Sequence, residues 1–139
     1  MAINQLRLSE LKHLEQCERA LADAYRFHPP LPAGLAEHEL LLIAKHHLEH
    51  AAMLRGRIVA LGGVPNEEPD DFWLTGFDVT ALLRAERASL ASYHDHLTDM
   101  DSATARLVQD FVMNDHAWAM ALLDPDYEPD RDGELVNVP

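Results

Sequence analysis

Two clusters of proline and glycine and one short polar run divide this chain into four segments of helical periodicity. They are Pro29-Pro30-Leu31-Pro32, Gly62-Gly63-Val64-Pro65 and Thr98-Asp99-Met100-Asp101. Between them, apolar residues recur three and four positions apart, as on a helix that buries one face. Proline cannot continue a helix, and glycine commonly ends one. The pattern predicts helix, short turn, helix, long link, helix, short turn and helix.

The breakers and the capping residues also place the ends of the four predicted helices. The first begins at Asn4 or Ser9 and ends at Phe27, and the second spans 33–61 with Gly62 as its left-handed stop. Asp78 caps the third helix, which ends near Leu97. The fourth begins at Asp101 or Ser102 and ends near Leu123. The link 63–77 carries Phe72, Trp73 and Leu74, which predicts that it packs against the helices.

Connection lengths predict the topology of an all-α, four-helix bundle over residues 1–123. Short turns make the first and second helices, and the third and fourth, antiparallel neighbours. The link of about 15 residues reaches roughly 50 Å when extended, which is enough to cross a bundle from end to end. We therefore expect two antiparallel hairpins joined by a long crossover link. The acidic, proline-containing tail 124–139 is expected to be extended or disordered.

Composition excludes several classes of function. The 139 residues include 24 acidic residues against 11 lysines and arginines, a net charge of -13, with no basic stripe to follow a phosphate backbone. No stretch reaches the roughly 18 apolar residues of a membrane span, and the amino terminus lacks a signal-peptide pattern. The single cysteine, Cys17, forms no internal disulfide. We expect a cytoplasmic protein that binds neither nucleic acid nor membrane.

Two glutamates interrupt otherwise apolar helical stripes. The first stripe is Leu11, Leu14, Glu18, Leu21 and Tyr25, and the second is Val79, Leu83, Glu86, Leu90, Tyr93 and Leu97. An ionised carboxylate removed from water costs at least several kcal/mol unless it is paired. Each glutamate is therefore expected to be protonated, bonded to a base or bound to a metal. Both tyrosines follow their glutamate by seven residues and are expected to pack in the core.

Inward histidines on the following helices supply possible partners for both glutamates. The stripes of the second and fourth helices place His47, His50 and His116 on the inner face. His116 follows Glu86 by 30 residues, and His47 and His50 follow Glu18 by 29 and 32, so the chain looks like a diverged duplication. Mixed carboxylate and imidazole ligands suit iron, manganese or zinc. The predicted cofactor is one or two divalent metal ions.

Two hairpins that each give an inward Glu and then an inward His resemble the ferritin-like superfamily, which includes rubrerythrins and di-iron carboxylate oxidases. The resemblance covers residues 8–123. It implies a four-helix bundle in which Glu18 and Glu86 bridge the metal and His50 and His116 are terminal ligands, with iron as the metal and an oxidoreductase as the activity. The family normally carries a Glu three residues before each ligand His, where this chain has His47 and Met113. His47 is then a fifth candidate ligand.

Other interpretations of the same residues stay open. Glu18 and Glu86 can form a metal-free polar core with the histidines, in a dimeric helical interaction module that keeps a relic site. The inward histidines also resemble the DinB-like fold, in which three histidines bind a metal for thiol transfer, although position 120 is Met where that family usually has His. The run Leu40-Leu41-Leu42-Ile43 is apolar on every side, which predicts a homodimer through the first two helices.

Overall fold

The computed structural model describes residues 2–26, 37–65 and 79–124, with side chains of the first helix described from Leu8 onward. These residues form helices and contain no strand, which confirms the all-α class. Helix α1 spans Ala2–Arg26, α2 Glu37–Ala60 and α3 Val79–His96. After the 3₁₀ turn Leu97–Asp99 come α4 (Ser102–Leu107), the π-helical segment Val108–Val112 and α5 (Met113–Leu123). None of the described helices is both long and apolar enough to cross a membrane.

Residue contacts divide the chain into two compact units. The first contains α1 and α2, and the second contains α3, α4 and α5. In the first unit α1 packs against α2, and in the second α3 packs against α5. The aromatic residues of the link and the acidic tail lie outside the described residues. The arrangement of both hairpins in one crossover bundle stays a prediction.

Helix α1 runs antiparallel to α2, as its contacts show in order along the helix. Near its start, Leu8 approaches Gly63, and Glu15 lies beside Arg55 on α2. Further along, Glu18 contacts His47 and His50. Leucines and alanines that are at most 4% exposed fill the interface between these contacts. The apolar stripe thus becomes the buried face that the sequence predicts.

Two glycines end α2 as the sequence predicts. Gly62 has φ +87°, which favours glycine because a Cβ there is strained. The Gly62 N–H donates to Val59 C=O at 3.0 Å and the Gly63 N–H to Ile58 C=O at 2.8 Å, the pattern of a Schellman cap. A Cβ on Gly63 would lie 2.7 Å from Leu8 Cδ2. The cap therefore fixes where the chain leaves α2 against α1.

Glycine substitutions in and after α2 should have opposite effects on stability. Gly62→Ala should lower the free energy of unfolding by about 1–2 kcal/mol, because it places a side chain at positive φ. Gly56→Ala, inside the helix with nothing within 4 Å of the added Cβ, should raise it by about 0.5–1 kcal/mol. Urea unfolding of both variants checks this. Equal signs would contradict the assigned end of α2.

The predicted fourth helix contains a π-helical segment in its middle. Asp101 caps the start of α4, accepting from the Thr104 N–H at 3.2 Å, as expected. At Val108–Val112 the hydrogen bonding widens, so that the Met113 N–H donates to Val108 C=O, five residues back. One extra residue is thereby accommodated without breaking the helix. The helix still ends at Leu123, where the sequence places its end.

The apolar run at the start of α2 is buried on one side only. Leu40 and Ile43 are 2% and 1% exposed, whereas Leu41 and Leu42 are 49% and 39% exposed. The run is therefore only half covered, as its pattern indicates. The homodimer inferred from it stays a prediction.

Candidate metal centre

The first unit holds a buried carboxylate between two imidazoles. His47 Nδ1 lies 2.7 Å and His50 Nδ1 lies 2.9 Å from the same oxygen, Glu18 Oε1. All three side chains are at most 1% exposed. A buried carboxylate must be paired, and here two histidines provide the partners. One ligand atom from each residue lies within 4.8 Å of the other two, so the three can hold a metal ion.

Helix geometry explains why both histidines reach one oxygen. His47 and His50 are three residues apart and therefore lie on neighbouring turns of one face of α2. Glu18 faces them from α1, flanked by the buried Leu14 and Leu21. The rings of His47 and His50 stand edge to face, with centroids 5.7 Å apart. Both Nδ1 atoms thus point towards the carboxylate without the rings overlapping.

The second unit holds a matching pair with one histidine. His116 Nδ1 on α5 lies 2.6 Å from Glu86 Oε1 on α3, and both side chains are 0% exposed. The spacing of 30 residues predicts this contact, and the structure confirms it. Met113, where the ferritin-like pattern has a glutamate, is a 5% exposed apolar side chain. This pair alone supplies one oxygen and one nitrogen ligand.

A tyrosine ring lies against a histidine of each unit. Tyr25 stacks on His47 with centroids 5.6 Å apart, and the Tyr93 and His116 centroids are 5.5 Å apart. Both tyrosines are 0% exposed, as expected of core residues. The sequence interval between Glu and Tyr places them two turns from the glutamate but does not reveal the ring contact. Each tyrosine restricts the orientation of an imidazole, since both faces of a buried ring need neighbours.

Glu15 is a third buried carboxylate, and its burial is not predicted from the sequence. Its side chain is 0% exposed, with Arg19 Nη2 donating to Oε1 at 3.0 Å and Arg55 Nη1 3.7 Å from the same atom. Burial raises the pKa of Glu15, and the two guanidiniums offset that rise only in part. The available signal is the spacing of Arg19 four residues after Glu15 on a mostly apolar face. The hydrogen bond and ion pairs of Glu15 are to the two arginines and not to the candidate ligands.

The raised pKa of Glu15 predicts a pH-dependent benefit from Glu15→Gln. Because the folded-state pKa exceeds the unfolded value, the stability that this group contributes is present below the unfolded pKa of 4.5 and lost as pH rises through the folded pKa. Glutamine mimics the protonated acid. The stability of Glu15→Gln relative to the native protein should therefore be higher at pH 7.5 than at pH 4.5. Urea unfolding at both pH values measures it.

The exposed Glu49 supplies the control for this pH comparison. Glu49→Gln should change the free energy of unfolding by less than about 0.5 kcal/mol at either pH. A relative stability of Glu15→Gln that stays level or falls as pH rises would contradict the assignment. In that case the two arginines, and not burial, dominate the environment of Glu15.

Several other polar residues close to the predicted ligands in sequence are less deeply buried. His46 is half-buried on α2, and Asp115 is half-buried beside His116 in sequence. His13 is exposed, and its Nε2 lies 3.6 Å from the half-buried Cys17 Sγ. The residues predicted as ligands are all buried and lie in Glu–His contacts, namely Glu18, His47, His50, Glu86 and His116.

The fold and the site define a class, an all-helical protein with a buried Glu–His contact in each of two helical units. Comparisons with protein-family models, with curated proteins and with solved structures find no match. The chemistry of the site therefore rests on its own residues.

Proposed function

We propose that the protein binds a divalent metal through Glu18, His47, His50, Glu86 and His116 and belongs to the ferritin-like class of metal proteins. The observation that carries the proposal is the convergence of two imidazoles on one fully buried carboxylate oxygen in the first unit. Apolar side chains would fill this space at a lower cost in folding free energy, because buried polar groups contribute little to the stability of the fold. A ligand that needs these groups explains their presence.

The donor set favours iron, manganese or zinc. Imidazole nitrogen suits the later divalent transition metals and carboxylate oxygen also accepts iron and manganese, whereas calcium and magnesium prefer oxygen alone. The clusters contain no thiolate, since Cys17 lies beside His13. When bound, iron or manganese supplies one-electron redox chemistry, which is the basis for proposing an oxidoreductase.

The hydrogen bonds show what metal uptake requires of these residues. The Nδ1 to oxygen distances of 2.7 and 2.9 Å are hydrogen-bond distances. A metal bound by Glu18, His47 and His50 would have to replace these hydrogen bonds, so the three residues would have to release the protons that join them. Buried Tyr25 stacks on one face of the His47 ring and restricts its orientation.

Metal analysis of the full chain tests the proposal. Protein produced with iron, manganese and zinc in the medium should retain at least about one equivalent of one of them per chain after desalting. Reconstitution of the chelator-treated protein should raise its melting temperature, because the ion binds only the folded state. One equivalent per chain indicates that one unit holds the ion, and two indicate one ion in each unit. Less than about one-tenth of an equivalent, with no rise in melting temperature, defeats the proposal.

The same measurements separate the alternatives. A metal-free interaction module gives no metal and an unchanged melting temperature. A DinB-like thiol transferase binds its metal through histidines alone and should keep it in Glu18→Gln. Loss of metal from that variant excludes a site made only of histidines.

A further inference from the structure

The two units repeat one helical hairpin. The structure fixes which residue of the second unit corresponds to each residue of the first, a correspondence that we call the register. Each buried residue of α3 follows a buried residue of α1 by a constant interval of 68 positions. Glu86 follows Glu18 by this interval, and Tyr93 follows Tyr25 by the same one. The other buried pairs at this interval are Leu14 with Leu82, Leu21 with Ser89, and Ala22 with Leu90.

On the second helix the interval changes from 68 to 69 inside the π-helical segment. Val108 follows Leu40 by 68 positions, whereas Val112 follows Ile43 by 69. The interval of 69 then continues through buried pairs to the end of α5, namely Ala44 with Met113, His47 with His116, Ala51 with Met120 and Leu54 with Leu123. The extra residue of the second unit therefore lies where the hydrogen bonding widens to five residues.

Helix geometry shows why the extra residue requires the π-helical segment Val108–Val112, called the π turn from here on. Thr104, Val108, Val112, His116 and Met120 are all buried although they lie four residues apart. In a regular α-helix each step of four residues drifts by about 40°, so the five would spread over roughly 160°. The wider turn takes up one extra residue and so offsets about 100° of this drift around the helix axis. It keeps both ends of the helix on the same buried face.

The register makes His47 the counterpart of His116, with His50 left over. Both counterparts direct Nδ1 to a glutamate Oε1, and both contact the tyrosine that follows that glutamate by seven residues. The position that corresponds to His50 in the second unit is Ala119, which is 1% exposed. The ferritin-like resemblance instead pairs His50 with His116.

We propose that the second unit is a copy of the first with one residue inserted at the π turn, and that His50 is an added metal ligand that sets affinity and metal selectivity. Glu18, His47, Glu86 and His116 are then the ligands common to both copies. The role of His50 rests on the proposed function, whereas the register does not. A third ligand in one unit increases the share of nitrogen donors, which favours zinc over manganese.

A pair of one-residue deletions tests the register without any metal. Gln109 is exposed in the π turn, and Lys45 is exposed in the regular part of α2, before His47. Deleting Gln109 should convert the π turn into regular α-helix and change the melting temperature of the chelated protein by less than about 5 °C. Deleting Lys45 rotates His47 by about 100° and should lower it by more than about 15 °C. Equal losses in the two deletions would overturn the register.

Moving the imidazole between the units tests the role of His50. With zinc as the probe, His50→Ala should weaken binding about 100-fold, and His47→Ala should abolish it. The double variant His50→Ala/Ala119→His should recover affinity to within about 10-fold of the native protein, since it restores the imidazole at the corresponding position. The ratio of zinc to manganese affinity should fall in His50→Ala and return in the double variant.

Each outcome has a distinct meaning. A double variant that binds no better than His50→Ala, while its melting temperature stays near that of the native protein, overturns the assigned role of His50. A loss in His50→Ala that exceeds the loss in His47→Ala overturns it as well. If the native protein takes up no metal, the proposed function and the role of His50 both fail, and the two deletions still decide the register.

Discussion

Glu18→Gln should lower metal affinity by at least about 100-fold, because it replaces the ionisable carboxylate on which two buried imidazoles converge with a neutral amide. Changes to residues that merely orient metal ligands already cost 10–100-fold, and a ligand costs at least as much. At a metal concentration 100 times the native dissociation constant, the native protein gains about 2.7 kcal/mol of stability. The variant should lose nearly all of this gain. Titration followed by thermal unfolding measures both effects.

Glu15→Gln supplies a matched control for this loss. Glu15 lies three residues away on the same helix, is equally buried, and contacts arginines instead of histidines. Its substitution should leave metal affinity within about threefold of the native value, less than the 10-fold minimum for residues that orient ligands. Equal losses in the two variants would mean that metal binding responds to any change in buried charge. The assignment of Glu18 as a ligand would then be wrong.

The Glu86–His116 pair should show strong coupling in the metal-free protein. Glu86→Leu or His116→Leu alone should cost about 3–5 kcal/mol, because each takes a 2.6 Å contact away from a fully buried polar partner. The double variant should cost much less than the sum, since both polar groups are then replaced by apolar side chains. The coupling energy should reach about 2–3 kcal/mol. Chemical unfolding in the presence of a chelator gives the four free energies.

A second cycle tests whether the coupling is specific to the contact. Arg84 is exposed on α3. His116→Leu and Arg84→Ala should be additive within about 0.5 kcal/mol, as for residues without shared partners. Additivity of Glu86→Leu with His116→Leu would show that the 2.6 Å contact contributes nothing specific. The pair could then not be a preformed pair of metal ligands.

The candidate site could be predicted to a large extent from single residues. Glu18 and Glu86 stand out because a carboxylate in an apolar stripe is buried whenever the helix packs. His47, His50 and His116 share those stripes in the following helices. The burial of Glu15 is not predicted, because Arg19 follows it one helical turn later and a Glu–Arg pair at this spacing is typical of a solvated helix face. The ring contacts of Tyr25 and Tyr93 were missed because periodicity gives a residue's face but not its neighbour on another helix.

The sequence by itself determined where the helices lie and that Glu18, Glu86 and the histidines in the stripes of the following helices are buried. Breakers and three-to-four spacing are local properties of the chain. Only the tertiary structure decided that two imidazoles share Glu18 Oε1 and that His47, not His50, corresponds to His116. It also revealed the π turn at Val108–Val112. These features depend on the rotation and axial position of one helix against another. A shift of one residue rotates a side chain by about 100°, which the apolar pattern alone does not resolve.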